Sequence, residues 1–538
     1  MRRNLIFVLP RQHKNQVCAL PTGSDLDSEY FIFMPSTLPS VEGADDMDAL
    51  LQEVYRARPI LKELLQEHGT KTLHTYTSQY ASETSYPEER KSQARAAIVK
   101  EVRRLFGDVQ AHAVDAQLRR GHVINTADHM GPVTHTWFLS TSVLMGTALP
   151  DTTAPIITLA CANVSLNNTS FPRGLLFHAR NENGSAEHRL SLLPSDSHAA
   201  SVYGFRPYTE QEVQKIVRLL RQKSASGEVP LSVATKLREI IDAVYGSAHA
   251  HTAASFSDQM SITNQILWKR MFPGEQVPEL LYLEQERIVI DLLLTHHLSG
   301  ESMLSKILFD HTYTRMAITH FNEVPSCFSE TLHKGTFLFW GASSDKGYRV
   351  PLWYKEGALV SPDGTCHVAL TPDTLARALE ARTLVPSLLT TFLILSFHHG
   401  LNCIGGFNQI YYTSAMKQAY ASFLSAAGAH AEYDLLLSAH TTNTNDVTLG
   451  YLSDADSLIP AAGLDLCLYG VGTNWQHLVE DTKRMTLNDA LLPGMPAFYR
   501  CTRPAQELAP RLSAITPAQI TTHYGIDKKI RPLIAVHY

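Results

Sequence analysis

The loop TADHMGPVTH (residues 126–135) combines a carboxylate with imidazoles at close spacing. Carboxylates and imidazoles exchange protons with a substrate, and imidazoles also stabilise negative charge that develops on a leaving phosphate. We therefore predict a catalytic role for three residues of this loop: Asp128, His129 and His135. The structural alternative is that Asp128 caps a helix and that the two histidines are incidental.

The same loop is predicted to bind a phosphate-bearing cofactor. It follows a short β-branched run, HVINTADH (122–129), and precedes a segment with helical periodicity, THTWFLSTSVLMG (134–146). Open α/β sheets bind ligands in such strand-to-helix loops, and the first turn of a helix offers free backbone N–H groups to a phosphate. A Gly-Pro turn brings the backbone close to that position. The predicted cofactor-binding residues here are Thr126, Gly131 and Pro132.

A second polar loop, CIGGFNQIYY (403–412), follows the apolar run LVPSLLTTFLILSF and a pair of histidines. Adjacent glycines permit a positive φ or a close backbone approach, and their N–H groups form a concave site for an anion. The neighbouring amides are suited to orienting a ribose or a carboxylate. The alternative is that the glycines only form a turn. We predict cofactor binding by Gly405, Gly406, Asn408 and Gln409, and substrate binding by Tyr411.

The segment NVSLNNTSFPRG (163–174) follows the next predicted strand and ends in polar side chains. Amides orient a substrate by hydrogen bonds, and a guanidinium pairs with a carboxylate in a bidentate geometry. We predict substrate binding by Asn167, Asn168 and Arg173, with an ordinary Asn-Asn turn as the alternative.

A metal centre is not predicted as part of this site. It would recruit Asp128, His129 and His135, together with His398 or His399, but their spacing matches neither an i,i+4 pair on a helix nor a closed ligand set. A metal-dependent hydrolase built on the histidines is therefore only an alternative. The sequence also lacks a Walker A loop and the motifs G-x-G-x-x-G, H-E-x-x-H and G-x-S-x-G.

The composition excludes several classes of partner. A net charge of -6 provides no general attraction to nucleic acid, and the longest apolar run is shorter than the roughly 20 residues that span a bilayer. Seven cysteines are scattered without a C-x-x-C pair, which is typical of a protein in a reducing compartment. We expect a cytoplasmic protein that acts on small molecules, with no nucleic-acid partner and no membrane partner.

The elements around these loops predict the fold class. The run APIITLACANVSL (154–166) reads as a second strand, so residues 122–166 form a strand–loop–helix–strand unit of a parallel sheet. We predict an α/β protein with a parallel-sheet core and with inserted hairpin and helical subdomains. The predicted divisions are an N-terminal strand and helical region (1–120), the core with insertions near 167–206 and 330–370 (121–440), and a mixed C-terminal segment (441–538).

Further segments support this outline. Residues 44–67 and 88–106 carry apolar side chains at helical spacing, and Thr209 with Glu212 forms a capping box at the start of another helix. The N-terminal MRRNLIFVLPRQ has too short an apolar run for a signal peptide and predicts a first strand.

Two segments resemble the bacillithiol-synthesis family of cysteine-adding enzymes: VINTADHMGPVTHTWFL and LVPSLLTTFLILSFHHGLNCIGGFNQIYYTSAMKQAY. The resemblance implies a Rossmann-like core interrupted by insertions. Two pairs of residues depart from the family pattern. Asp128-His129 stands where the family has paired glutamines, and Asn408-Gln409 stands where it has Gly-Glu. The helical heptads of the family's dimerisation arm are also absent.

The resemblance implies a ligase that joins a small carboxylate or amino acid, with cysteine as one option, to an amine acceptor. Activation of a carboxylate usually requires a nucleotide, so ATP or another adenine nucleotide is the expected cofactor. The family's dimerisation leaves a homodimer as one option for the assembly. The rival interpretation is a non-catalytic nucleotide- or metabolite-binding protein on the same fold, which the loss of the paired glutamines favours.

Overall fold

The computed structural model describes residues 44–81, 84–168, 174–181, 184–342, 347–454, 457–470, 472–532 and 534–535. The predicted N-terminal strand and the predicted substrate residue Arg173 lie outside these ranges. The chain has a mixed α/β fold in which many helices surround one four-stranded parallel sheet, called the central sheet below.

The central sheet confirms the predicted parallel strand–helix–strand unit. Its strands lie in the order Asn402–Ile404, Val123–Asn125, Ile156–Ala160 and Leu280–Glu284, and every neighbouring pair is parallel. The helix Thr136–Thr147 connects the strands Val123–Asn125 and Ile156–Ala160. Both strands are shorter than predicted, because Thr126 and the residues after Ala160 already belong to loops at the edge of the sheet. Strands of a parallel sheet are covered on both faces, and every residue of Ile156–Ala160 and Leu280–Glu284 is accordingly buried.

The helices have the following bounds. The α-helices are Ala44–Ala57, Pro59–His68, Leu73–Thr77, Glu88–Phe106, Asp108–Arg120, Thr136–Thr147, Glu210–Ala225, Leu231–Val244, Ala248–His251, Phe256–Met271, Gln285–Leu292, Met303–Phe309, His311–Phe321, Pro372–Glu380, Leu388–Leu395, Phe407–Ala426, His430–Leu437, Gly463–Tyr469, Asn474–Arg484, Leu487–Leu491, Met495–Arg500, Pro510–Ser513 and Pro517–His523. Short 3-10 helices are Ser78–Ala81, Ser195–Ser197, Leu492–Gly494 and Ala505–Glu507, and Leu293–His297 is a π-helical turn.

The remaining strands form small sheets that are mostly antiparallel. Gly174–Asn181 and Gly184–Ser191 pair as a hairpin within the range where a hairpin insertion is predicted. Trp353–Lys355, Ala358–Val360 and His367–Ala369 form a three-stranded meander. The other strands are Phe328–Ser329, Lys334–Gly335, Phe339–Ala342, Arg349–Pro351, Leu384–Pro386, Tyr451–Asp454, Ser457–Pro460 and Ile534–Ala535.

Local signals for helices agree with the structure except at one proline. The helix predicted over 88–106 is observed as Glu88–Phe106, and Thr209 forms the predicted capping box with Glu212. The helix predicted over 44–67 is interrupted at Arg58, which has a non-helical conformation (φ -136°, ψ 72°) because Pro59 follows it. The interruption directs the Arg58 side chain towards the edge of the central sheet, as described below.

One continuous apolar core joins the central sheet to the surrounding helices, from the N-terminal helix at Met47 to Ile530 near the C-terminus. The C-terminal segment packs on the sheet layer, since Trp475 contacts Trp268 and Phe272 edge to face. Among the described residues no helix combines the length and the apolar character needed to cross a membrane.

Candidate active site

The two predicted loops meet at the carboxyl edge of the central sheet. The backbone N–H of Thr126 donates to the carbonyl of Ile404 at 2.8 Å. The side-chain amide of Gln409 donates to the hydroxyl of Thr126 at 2.7 Å. These bonds join the loop after the first strand to the double-glycine loop after the last strand. The structure therefore brings together Thr126, Gly405 and Gln409, as the sequence predicts.

This edge is also the topological switch point of the sheet. The chain proceeds from Val123–Asn125 through Ile156–Ala160 to Leu280–Glu284 on one side, and then returns to Asn402–Ile404 on the other side of the first strand. Connections that leave in opposite directions open a crevice between the two strands, and open α/β sheets bind ligands there. The candidate site thus lies where the topology favours binding.

The double glycine packs against side chains of the protein itself. A Cβ atom on Gly405 would lie 2.0 Å from Cδ of Gln409, and one on Gly406 would lie 3.0 Å from Oδ2 of Asp446. Neither glycine has a positive φ. The two positions allow close packing of Gln409 and Asp446, whereas the sequence interpretation was a close backbone approach to a ligand.

Asp446 takes the position at the double-glycine loop that was predicted for an anionic ligand. The backbone N–H of Phe407, at the start of the helix Phe407–Ala426, donates to its Oδ2 at 3.1 Å. Burial raises the pKa of Asp446 to about 6. Sequence reasoning missed this residue, because TTNTNDV (441–447) was interpreted only as part of a polar tail; an acidic residue within a run of amides and hydroxyls was the available signal.

The Gly131-Pro132 turn is likewise held by a protein side chain. The amide of Asn264 donates to the carbonyl of Gly131 at 2.9 Å and accepts from the N–H of Val133 at 2.9 Å. Asn264 belongs to the helix Phe256–Met271, which packs on the neighbouring strand. The turn positions the following helix, and the N–H of Val133 is already in use.

His135 caps the helix Thr136–Thr147. Its Nδ1 accepts a hydrogen bond from the backbone N–H of Trp137 at 3.2 Å. Burial lowers the pKa of His135 to about 4, with a further contribution from His129. The imidazole is therefore neutral near pH 7, and it does not supply the charge-assisted contact to an anion that the sequence suggests.

Asp128 is fully buried, and the helix Thr136–Thr147 is capped by His135 and not by Asp128. It accepts hydrogen bonds from the hydroxyl of Tyr282 and, at 2.9 Å, from Oγ1 of Thr141. Burial raises the pKa of Asp128 to about 7, and the nearby Asp446 raises it further. A carboxyl group with a pKa close to neutrality is suited to proton transfer, and two such groups in one crevice often mark a functional site.

Asn168 orients His129. Its amide nitrogen donates to the carbonyl of Ser165 at 2.8 Å, so its oxygen faces Nδ1 of His129 at 3.2 Å. Nδ1 must therefore carry the hydrogen, and Nε2 carries the lone pair. Asn168 thus contacts a predicted catalytic residue, whereas the prediction was contact with substrate. The adjacent Asn167 has a buried Oδ1 without a hydrogen-bond partner in the described part of the chain.

A third buried carboxyl group, Glu286, lies at the same edge of the sheet. It accepts hydrogen bonds from the backbone N–H groups of Ala162 at 2.8 Å and Asn163 at 2.9 Å. Burial raises its pKa to about 7, and the neighbouring Glu284 adds repulsion. Sequence reasoning missed Glu286, although a glutamate at the end of the strand Leu280–Glu284 and a second one two residues later were a visible signal. The edge therefore carries three carboxyl groups with raised pKa values.

Arg58 contributes the positive charge at this edge. The residue is 8% exposed, and its guanidinium donates from Nε and Nη2 to Oδ1 of Asn408, at 3.4 and 3.3 Å. It also stacks on the ring of Tyr411, 4.4 Å from the centroid. Within the described ranges no carboxylate pairs with it, and burial lowers its pKa. Asn408 and Tyr411, both predicted to bind ligands, thus surround a guanidinium that the sequence analysis missed.

Comparisons with known proteins add no assignment, because no protein-family model matches the chain and no curated protein matches its sequence. The relation to the bacillithiol-synthesis family stays a prediction. Chemically, the site combines carboxyl groups that release or accept protons near pH 7, an imidazole with a defined tautomer, and a guanidinium that has no counter-ion among the described residues.

Proposed function

We propose that the protein is an ATP-dependent ligase with a Rossmann-like core, which joins a small carboxylate or amino acid to an amine at the switch-point edge. The observation that carries the proposal is the buried guanidinium of Arg58 beside Asn408, without a carboxylate partner in the described ranges. A guanidinium in this setting is suited to a carboxylate or a phosphate, which it contacts in a bidentate geometry.

The energetics of Arg58 favour an anionic ligand. A buried charge without a partner of opposite sign is costly, and the cost decreases when an anion enters the site. Each hydrogen bond from the guanidinium to a charged ligand contributes about 1.5–3 kcal/mol to binding. The raised pKa values of Asp128 and Asp446 also support the proposal, because these groups carry less negative charge near pH 7 than carboxylates of ordinary pKa and so repel an anion less.

The residues at the edge suit amide-bond formation. ATP would supply the activation of the substrate carboxylate. When the amine nitrogen attacks the activated carboxyl carbon, one of its protons has to leave, and Nε2 of His129 is the acceptor in our proposal, since Asn168 holds the hydrogen on Nδ1. The activating phosphate or AMP departs, and Arg58 stabilises its negative charge.

We further propose that the enzyme acts in a reducing compartment, the cytoplasm. Six cysteines lie within the described ranges, and all six are free thiols. Burial raises the pKa of five of these thiols, at positions 161, 327, 366, 403 and 467, which makes them poorly reactive.

The proposal is tested by nucleotide turnover. Full-length protein is incubated with labelled ATP, a pool of amino acids and small carboxylates, and a pool of amines, and the release of ADP or AMP and the mass of any amide product are followed. We expect turnover that requires both pools and that is lost in Arg58→Gln. Arg56→Gln is the matched control, since Arg56 is exposed two residues away and pairs with Glu53.

The outcomes separate the competing interpretations. A rise in melting temperature with ATP, but without turnover, would support the non-catalytic nucleotide-binding alternative. If ATP is neither consumed nor bound, or if Arg58→Gln retains full turnover while its circular dichroism matches the wild type, the proposal fails.

A further inference from the structure

Three histidines converge away from the switch-point edge. His297 ends the π-helical turn Leu293–His297, and His398 and His399 follow the helix Leu388–Leu395. One nitrogen of each ring lies within 4.8 Å of the others, and Nε2 of His297 lies 3.4 Å from Nε2 of His399. His297 and His399 are fully buried, and His398 is partly exposed.

The tautomer of His399 follows from its other ring nitrogen. Nδ1 lies 2.8 Å from the backbone carbonyl oxygen of Arg90. A carbonyl oxygen only accepts hydrogen bonds, so Nδ1 carries the hydrogen. The neutral ring therefore has its lone pair on Nε2, the atom that faces His297.

Counting hydroxyl hydrogens assigns the same tautomer to His297. The hydroxyl of Ser305 donates its only hydrogen to the carbonyl of His297. Ser302 Oγ lies 2.8 Å from Ser305 Oγ, so Ser302 must donate in that pair. Its hydrogen is then used, and the 2.8 Å contact between Ser302 Oγ and Nδ1 of His297 requires the hydrogen on Nδ1. Nε2 of His297 therefore also carries a lone pair.

Two lone pairs thus face each other across 3.4 Å. Neither Nε2 has a hydrogen to offer the other, so no hydrogen bond joins the two neutral rings. The spacing instead suits a metal ion. Zinc binds imidazole nitrogens at about 2.0–2.1 Å, and two ligands of a tetrahedral ion at that distance lie about 3.3 Å apart.

We propose that His297, His398 and His399 form a binding site for a divalent transition-metal ion, with zinc as the preferred ion. The contacts at Nδ1 to Ser302 and to the Arg90 carbonyl are the outer-shell bonds that orient metal-binding histidines. Three neutral imidazoles leave one tetrahedral position for water or a substrate, which is the ligand number typical of catalytic zinc.

The three-histidine cluster borders an open groove of about 600 Å³ through His398. His398 lines this groove together with the ion pair of Arg90 and Glu432 and with the side chain of Lys306. Solvent and small anions therefore reach the metal from this side. The site does not depend on the proposed ligase function, because it shares no residue with the switch-point edge.

The test is spectroscopic and uses the full chain without an affinity tag. Protein dialysed against a chelator is titrated with cobalt(II) chloride and then with zinc chloride. We expect one cobalt ion per chain with the intense visible absorption of a four-coordinate ion, displacement of cobalt by zinc, and a higher melting temperature with either metal. His398→Ala should abolish the absorption, and Ser302→Ala should weaken zinc binding by about 10–100-fold.

His430→Ala is the matched control, because His430 is exposed and lines the same groove without belonging to the three histidines. It should bind cobalt as the wild type does. Three results would overturn the proposal: no cobalt binding, the weak absorption of a six-coordinate surface ion, or an unchanged spectrum and affinity in His398→Ala. If His398→Ala is unfolded by circular dichroism, Ser302→Ala alone decides the outcome.

Discussion

Replacement of Gly405 by alanine tests the packing role of the double glycine. The new Cβ would lie 2.0 Å from Cδ, 2.3 Å from Nε2 and 2.4 Å from Oε1 of Gln409, so the side-chain amide must leave its position. That amide donates to the hydroxyl of Thr126 and to the carbonyl of Cys403. Both bonds are buried; the first joins the two loops of the candidate site, and the second holds Gln409 to the strand Asn402–Ile404.

The cost follows from these two hydrogen bonds. Each contributes about 1 kcal/mol net, and a buried donor or acceptor that is left without a partner costs about 1–3 kcal/mol. We expect Gly405→Ala to lower the free energy of unfolding by about 2–5 kcal/mol. Gly406→Ala, the neighbouring control, has a Cβ 3.0 Å from Asp446 at a helix N-cap and should cost only about 1 kcal/mol.

A double-mutant cycle separates the clash from other effects of the substitution. Gln409→Ala already removes the displaced side chain, so a second change at Gly405 should then cost less than about 1 kcal/mol. Urea denaturation of the wild type, the two single variants and the double variant at one pH measures the coupling energy between positions 405 and 409. Additive costs, or a Gly405→Ala variant as stable as Gly406→Ala, would refute the reasoning and leave ligand contact as the reason for the glycine.

Three further predictions concern the same edge of the sheet. The folded-state pKa of Asp128 is about 7 against 3.8 in the unfolded chain, so its contribution to stability is fully present below about pH 4 and is lost as the pH rises towards 7. Asp128→Asn stays neutral, so its free energy of unfolding should fall less with rising pH than that of the wild type, by up to about 1.4 kcal/mol per pH unit. Urea denaturation at several pH values measures this dependence, and an unchanged dependence would contradict the assignment. His135→Ala should lower the free energy of unfolding by about 0.5–2 kcal/mol, and His135→Asn should lower it much less, because histidine and asparagine both accept a hydrogen bond at the N-cap. Equal melting temperatures for the wild type and the two variants would exclude capping. Asn264→Ala should lower the free energy of unfolding by about 2–4 kcal/mol, since it leaves the buried carbonyl of Gly131 and the N–H of Val133 without their partner. An unchanged urea midpoint would argue against a structural role for these two hydrogen bonds.

The neighbourhood of the site could be predicted from the sequence because its signals are local. Val123 and Ile124 lead into a polar loop, a helix follows, and the next apolar run gives a strand, all within residues 122–160. The pairing of Thr209 with Glu212 at a helix start is equally local. Alternation of apolar and polar residues and capping chemistry depend on neighbours in the chain, so they can be recognised without a fold.

The partners inside the site were decided by the tertiary structure. Asp446 reaches the N–H of Phe407 across 39 residues, and Arg58 reaches Asn408 across 350. His297 meets His399 across 102 residues. Residues so far apart in the chain meet only in the folded protein, and nothing in their own sequence context specifies these contacts.

The sequence alone therefore determined that two polar loops follow strands of a parallel sheet, since hydrophobic periodicity specifies which residues are buried. The order of the strands decided which loops became neighbours, and burial at that junction then raised the pKa of Asp128 and lowered that of His135. A pKa depends on the water that surrounds a group and on the charges near it, and both are properties of the folded chain.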